Sequence, residues 1–181
     1  MNMAVDLWPQ PTVMYTLPRE NSGTRAARQG KEQDMKEFEK DYAAFEGIKA
    51  DYDRAEAAKD EAGQEKARAD YRAWADGIEA KGRDYADTFR IYKDSRDNGN
   101  PRLDISEPHH VRNIPELVKN LRDHGVTEFT YSSTWSSAIE ASWEFLQNGC
   151  RLAGMTEVFT HCTKIFSDEH ETVPAYLFRI E

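Results

Sequence analysis

Cysteine is scarce in this chain. Two residues, Cys150 and Cys162, occur among 181, too few for a disulfide framework and suited to a reducing cytoplasm. No apolar run approaches the roughly 20 residues that span a bilayer. The N-terminal MNMAVDLWPQPTVMY lacks the basic and apolar regions of a secretion signal. A cytoplasmic chain without membrane contact is the expectation. Positive charge is also short: 24 Lys and Arg stand against 33 Asp and Glu, a net charge of -9. That balance argues against sequence-specific binding of nucleic acid, which needs basic surface to neutralise phosphates. It suits a chain steered to a basic partner surface. Glycine-rich phosphate loops of the P-loop or dinucleotide type are missing. No paired cysteines or histidines have zinc spacing.

Proline is absent from residues 31–97, which are rich in Ala, Glu, Lys, Asp and Arg. That is a strong helix signal. Tyr71, Ile78, Tyr85 and Tyr92 recur every seven residues, flanked by Trp74 and Phe89. Phe38, Phe45 and Tyr52 do the same earlier, beside Met35, Tyr42 and Ile48. The two rows are out of register and separated by the polar KDEAGQEK at 59–66. Two antiparallel helices joined near Asp60–Gln64 explain this, each aromatic seam covering the other. The alternative is one helix of about 65 residues, roughly 100 Å long at the helical rise, with a partner chain on its seam. Residues 31–99 hold nineteen acidic and fourteen basic residues. Most belong to a solvated face with i,i+4 pairing. A local excess at Asp51, Asp53, Glu56, Asp60 and Glu61 is the candidate acidic docking face.

Residues 1–30 read as irregular, with Pro9, Pro11 and Pro18 and a possible edge strand at Thr12–Leu17. Ser22 or Thr24 opens the helical region. DSRDNGNPR, 94–102, stops the helices. A module at 98–181 follows, with strands at Leu103–Ser106, Val126–Tyr131, Arg151–Cys162 and Pro174–Ile180. Its helices are Val111–His124, ended by Gly125, and Ser136–Asn148. In the second helix Ala138, Ile139, Trp143 and Leu146 or Phe145 are expected to face inward. The expected fold class is α+β: a long helical hairpin over 31–97, then a β-α-β-α-β-β module with partly parallel pairing and a closing antiparallel hairpin.

The turn YSSTWSS, 131–137, lies between a strand and a helix, where free N–H groups and the helix dipole favour an anion. Tyr131, Ser133, Thr134 and Trp135 are the candidate binding residues there. The plainer reading has Ser136 or Thr134 capping the helix. A serine nucleophile needs a base and an orienting partner, and no GxSxG elbow is present. His109 and His110 after Pro108, and His161, Cys162 and His170 near the last hairpin, form no metal motif. Glu140 and Glu144 share a helix face as ordinary surface carboxylates. No catalytic residue, cofactor or metal is expected.

Two resemblances add to this. The segment Phe145–Gly154, FLQNGCRLAG, after the strand TYSS at 130–133, resembles the second half of the GNAT acetyltransferase fold. There a helix carries Y-E-K-L-G-F-x-x-x-G before a strand and a closing strand. That family's pyrophosphate signature is replaced here by EPHHVRNIP, and its general-acid tyrosine by Phe145. The resemblance implies a GNAT-like module without coenzyme A chemistry. The stretch FTYSSTWSSAIEASWEFLQNG, ending in PAYLFRI, is similar to a module in small proteins of plasmids, phages and conjugative elements of gut Firmicutes. Some of these look like anti-CRISPR proteins acting on type II RNA-guided nucleases. This resemblance implies a non-enzymatic inhibitor from a mobile element. Its partner would be a host CRISPR nuclease or its nucleic-acid complex, whose channels are positively charged. A homodimer through the helical hairpin is also expected. An acetyl-coenzyme A acyltransferase and a structural or regulatory dimer remain as alternatives.

Overall fold

The computed structural model describes residues 22–106, 113–133, 138–161 and 170–181. The candidate edge strand at 12–17 lies outside them. Helix α1 runs Ser22–Ala57, α2 Glu61–Glu79 and α3 Arg83–Asp97. Strand β1 (Leu103–Ile105), α4 (Ile114–Asp123), β2 (Glu128–Tyr131), α5 (Ala138–Gln147), β3 (Cys150–His161) and β4 (His170–Ile180) follow. The fold is α+β: helices first, then a small mixed four-stranded sheet with two further helices.

Residues 22–30, expected as irregular, form the start of α1. Between Pro18 and Pro101 no proline interrupts the chain, so nothing in GTRAARQGK forbids helix. The chain reverses at Ala58–Lys59, where Lys59 takes a φ of 55°. Asp60 caps α2, its carboxylate accepting from the Gly63 N–H at 3.1 Å. Gly63 is thus part of the helix rather than the turn. A Cβ there would collide with the Asp60 carboxylate and the Ala55 methyl. The pairs Tyr52–Arg68, Asp41–Trp74 and Glu37–Lys81 show that α1 and α2 run antiparallel.

The expected second helix is two helices. It breaks at Lys81–Gly82 because Gly82 adopts a φ of 107°, open to glycine and hostile to other residues. The row Tyr71, Ile78, Tyr85, Tyr92 is therefore divided. Its second half crosses α1 on α3, where Phe38 packs on Tyr85 (4.8 Å), Tyr92 (5.6 Å) and Phe89 (5.9 Å). Asp41 holds this crossing together. Its carboxylate accepts from Lys81 Nζ and Tyr85 OH, both at 2.6 Å, and its carbonyl from Trp74 Nε1 at 3.0 Å. Burial pulls the Lys81 pKa down, but hydrogen bonds to Asp41 and Glu37 outweigh it and the ammonium is held charged.

The sheet order is β1-β2-β4-β3. β1 and β2 are parallel, with Leu103 opposite Phe129 and Ile105 opposite Tyr131. β4 pairs antiparallel with both β2 and β3, with a register shift between Leu152 and Gly154. The expected boundary at residue 98 lies just past the end of α3 at Asp97, and α3 packs on both sides of it. α3 belongs to the sheet's core as well as to the helices. Ile91 is buried, and Ser95 Oγ donates to its carbonyl and accepts from the Asp104 N–H at 2.8 Å. On the α5 side, Phe145 meets Phe129 (5.0 Å), Phe178 (5.2 Å) and Tyr131 (5.4 Å). His124 at the end of α4 packs at a tilt on Phe38 and edge-on to Tyr85, joining the two parts into one core. Asn100, read from sequence as loop, acts as a short strand partner. Its amide exchanges two hydrogen bonds of 2.7 and 2.8 Å with the backbone of Phe159 on β3.

Candidate interaction surfaces

The hydroxyl-rich turn at 131–137 is only partly within the described residues. Thr134 and Trp135, with the capping candidate Ser136, lie outside the described residues. Tyr131 is buried at the end of β2, and its hydroxyl finds no hydrogen-bond partner among the described residues. Ser133 is half-buried. The neighbour that sequence reasoning passed over, Ser132, carries the main polar contact. It donates to Asp104 Oδ2 at 2.6 Å while Thr130 donates to Oδ1 at 2.7 Å. Burial raises the pKa of Asp104 above its ordinary value, and these two hydroxyl bonds oppose the rise. Both carboxylate oxygens are engaged, so the cluster pins β1 to β2. Nothing in the sequence marks Asp104, a lone acid in a three-residue strand, as its centre.

No group of three metal-ligating side chains exists among the described residues. Of the histidine candidates, His109 and His110 lie outside those residues, as does Cys162. Cys150 is buried, and burial pushes its thiol to about 11, with Arg122 opposing. A thiol held protonated in this way is a packing group rather than a nucleophile.

The expected acidic face sits at the tip of the α1/α2 hairpin. Asp51 pairs with Arg54 at 2.8 Å, and Asp60 is occupied as the cap of α2. Asp53, Glu56 and Glu61 are exposed. Around the same tip lies a groove of about 410 Å³ between α1 and α2. Phe45, Ile48, Tyr52 and Tyr71 form its floor, and Lys49, Arg68 and Arg72 its rim. The Arg68 guanidinium stands 5.5 Å above the Tyr52 ring.

The largest correction concerns α5. Ala138, Ile139 and Trp143, with Leu146 or Phe145, were expected inside, and of these Phe145 is the one fully buried. Ile139 is 80% exposed, Trp143 61% and Leu146 41%. Ala141 and Phe145 are the buried pair, with Ala138 half-buried. The helix carries two apolar stripes, 138/141/145 and 139/143/146, each at helical spacing. The space over Phe129 and Phe178 admits the one carrying Phe145. The outward stripe meets Leu152 and Tyr176 of the β-hairpin around an apolar groove of about 280 Å³. Ser142 Oγ is buried there without a partner among the described residues. Glu140 and Glu144 flank the stripe, exposed as expected.

With the geometry in hand, similarity adds one fact. Residues 87–180 match the family described as a domain of unknown function (DUF7698). The chain belongs to that family. The DUF7698 stretch starts inside α3 and ends with β4, so it takes in the whole sheet, α4, α5 and the exposed apolar stripe. Helices α1 and α2 precede it. No curated protein and no solved structure shows significant similarity to the chain. No helix among the described residues is long and apolar enough to cross a membrane.

Proposed function

We propose that this chain is a non-enzymatic interaction protein that docks a basic partner protein through the outer face of α5 and the adjoining β-hairpin. One observation carries the reading: Ile139, Trp143 and Leu146 are exposed on a helix whose opposite side buries Ala141 and Phe145. Contiguous exposed apolar area with aromatic residues at its centre is characteristic of protein contact sites. Glu140 and Glu144 beside it, and the net charge of -9, favour a positively charged partner. The resemblance to anti-CRISPR proteins gives that partner a candidate identity, a type II RNA-guided nuclease, whose nucleic-acid channels are basic.

The experiment is a pull-down and a DNA-cleavage assay with a panel of purified type II nuclease–guide complexes. The intact chain is expected to bind at least one and slow its cleavage. Trp143→Ala is expected to weaken binding by about 2 kcal/mol or more, the scale of a central aromatic anchor. Absence of binding across the panel would remove the nuclease as partner. Binding unaffected by Trp143→Ala combined with Ile139→Ala would remove the α5 face.

A second reading has one observation behind it. β2, α5, β3 and β4 follow one another in the order implied by the GNAT resemblance, next to a parallel β1/β2 pair. Against it, Phe145 stands where that family offers a tyrosine, and it is wholly buried. Titration calorimetry with acetyl coenzyme A separates the readings: micromolar binding favours the acyltransferase, no heat the interaction protein.

A further inference from the structure

The groove between the distal halves of α1 and α2 has a different chemistry from the α5 face. Its floor is built at helical spacing. Phe45, Ile48 and Tyr52 stand at i, i+3 and i+7 on α1, with Tyr71 and Ala67 one turn apart on α2. A seam of that kind buries itself under a third helix. The neighbouring stretch has one: α3 lays Phe89 against both Phe38 and Trp74, at 5.9 Å each. Its cover ends near Lys93, whose Nζ sits 4.2 Å from the centre of the Phe45 ring. Beyond Phe45 and Tyr71, among the described residues, nothing takes the place of α3, and Tyr71 is left 47% exposed.

The rim sets the sign of what belongs there. Lys49, Arg68 and Arg72 line the groove, and no carboxylate among the described residues does. This occurs on a chain whose acids outnumber its bases 33 to 24. Glu65 reaches Arg68 and Arg72 from outside at 3.5 Å, with all three side chains about half-exposed or more. Such pairs are screened and easily exchanged. Lys49 forms no ion pair among the described residues. A second copy of the chain, facing the groove across a two-fold axis, would press its own three cations onto these.

We propose that this groove receives an acidic amphipathic helix of a partner protein. The helix lies in the position that α3 occupies further along, its apolar face on Phe45, Ile48, Tyr52 and Tyr71. Its carboxylates meet Lys49, Arg68 and Arg72. This is helix-in-groove recognition with charge selecting the ligand. It places a docking site for an acidic partner on the helices that precede the DUF7698 stretch, separate in position and sign from the α5 face.

Two labelled synthetic helical peptides test it by fluorescence anisotropy on the full chain. Both carry Leu at i, i+3, i+4 and i+7; one is flanked by Glu, the other by Lys. The Glu peptide is expected to bind about tenfold tighter or better, with the gap narrowing between 50 and 300 mM salt, probe conditions chosen to span the onset of strong screening. Lys49→Glu with Arg72→Glu, both at exposed positions, is expected to reverse the preference. Trp143→Ala is expected to leave it unchanged. Equal binding of the two peptides, no binding of either, or indifference to the double substitution overturns the proposal. So does a dimer in sedimentation that the double substitution dissociates, since the groove would then hold a second copy. The peptide comparison is made on the Ile139→Ala/Trp143→Ala chain as well, which removes the α5 anchors, so that a Lys peptide held by the α5 face is told apart from one held in this groove.

Discussion

The tip of the α1/α2 hairpin and the sheet module are built on opposite economies. At the tip, almost every charged contact is exposed and local: Asp51–Arg54, Lys66–Asp70 and Arg68–Glu65 are three or four residues apart on one helix. In the module, side chains from distant parts of the chain meet out of water, as Phe129, Phe145 and Phe178 do. Even its polar centre, Asp104 with Thr130 and Ser132, is buried. The first region can be altered piecemeal, while the second stands or falls as a unit. That contrast also explains why the tip tolerates an uncovered seam: its helices are supported by their own capping and pairing, with α3 fastening them only at the base.

The sharpest way to break the comparison is in the aromatic core. Phe145→Ala removes a side chain with no exposure and is expected to cost about 3–5 kcal/mol. Urea unfolding followed by circular dichroism should show the loss in one cooperative transition. Next comes Asp104→Ala, which strips the buried Ser132 hydroxyl of its acceptor and leaves Thr130 only the Leu103 carbonyl at 3.2 Å, at about 2 kcal/mol. Asp104 also gives the module a pH dependence of definite sign. Its folded pKa is raised, so the folded state holds a proton that the unfolded state has released. Stability therefore falls as pH rises from the ordinary carboxylate value through the raised one. Asp104→Asn should flatten that part of the stability–pH curve, as read from denaturant midpoints. At the tip the effects are smaller. Asp60→Ala removes the cap of α2 and is expected to cost about 1 kcal/mol, seen as faster amide exchange in the first turn of α2 with the sheet unaffected. Smallest is Lys66→Ala, which deletes an exposed, solvent-screened i,i+4 pair and is expected to leave the denaturant midpoint almost unmoved. A larger global loss from either tip variant than from Asp104→Ala would overturn the contrast.

Much of this was legible in the residues. The proline-free, Ala- and Glu-rich stretch folds as helix, and each strand and helix of the module lies within a few residues of its expected place. The polar run at 59–66 contains the start of the second helix, because Asp60 is of a type favoured at N-caps and little in the run is apolar enough to hold the first seam onward. Periodicity could not show the break at Gly82, since a seven-residue row continues across it undisturbed. Nor could it choose between the two stripes of α5. Ile139 and Trp143 are as apolar as Ala141 and Phe145, and only the shape of the facing sheet decides which pair is covered. The buried contacts of Asp104 depend on strand register, joining residues 26 and 28 apart. The basic groove was hidden for another reason. Lys49 is separated in sequence from Arg68 and Arg72, and only antiparallel packing brings them to one rim.

The clasp at Asp41 has a mechanical consequence. It binds Lys81, Tyr85 and Trp74 at one place on α1, and from there the helix runs on to Ala57. Sixteen residues at 1.5 Å each make an arm of about 24 Å. A tilt of about 10° at the clasp would shift the tip by about 4 Å, roughly three-quarters of a helical turn. Whatever docks at the tip is thus held about 24 Å from the clasp, so that small angles set at Asp41 become ångströms at the contact.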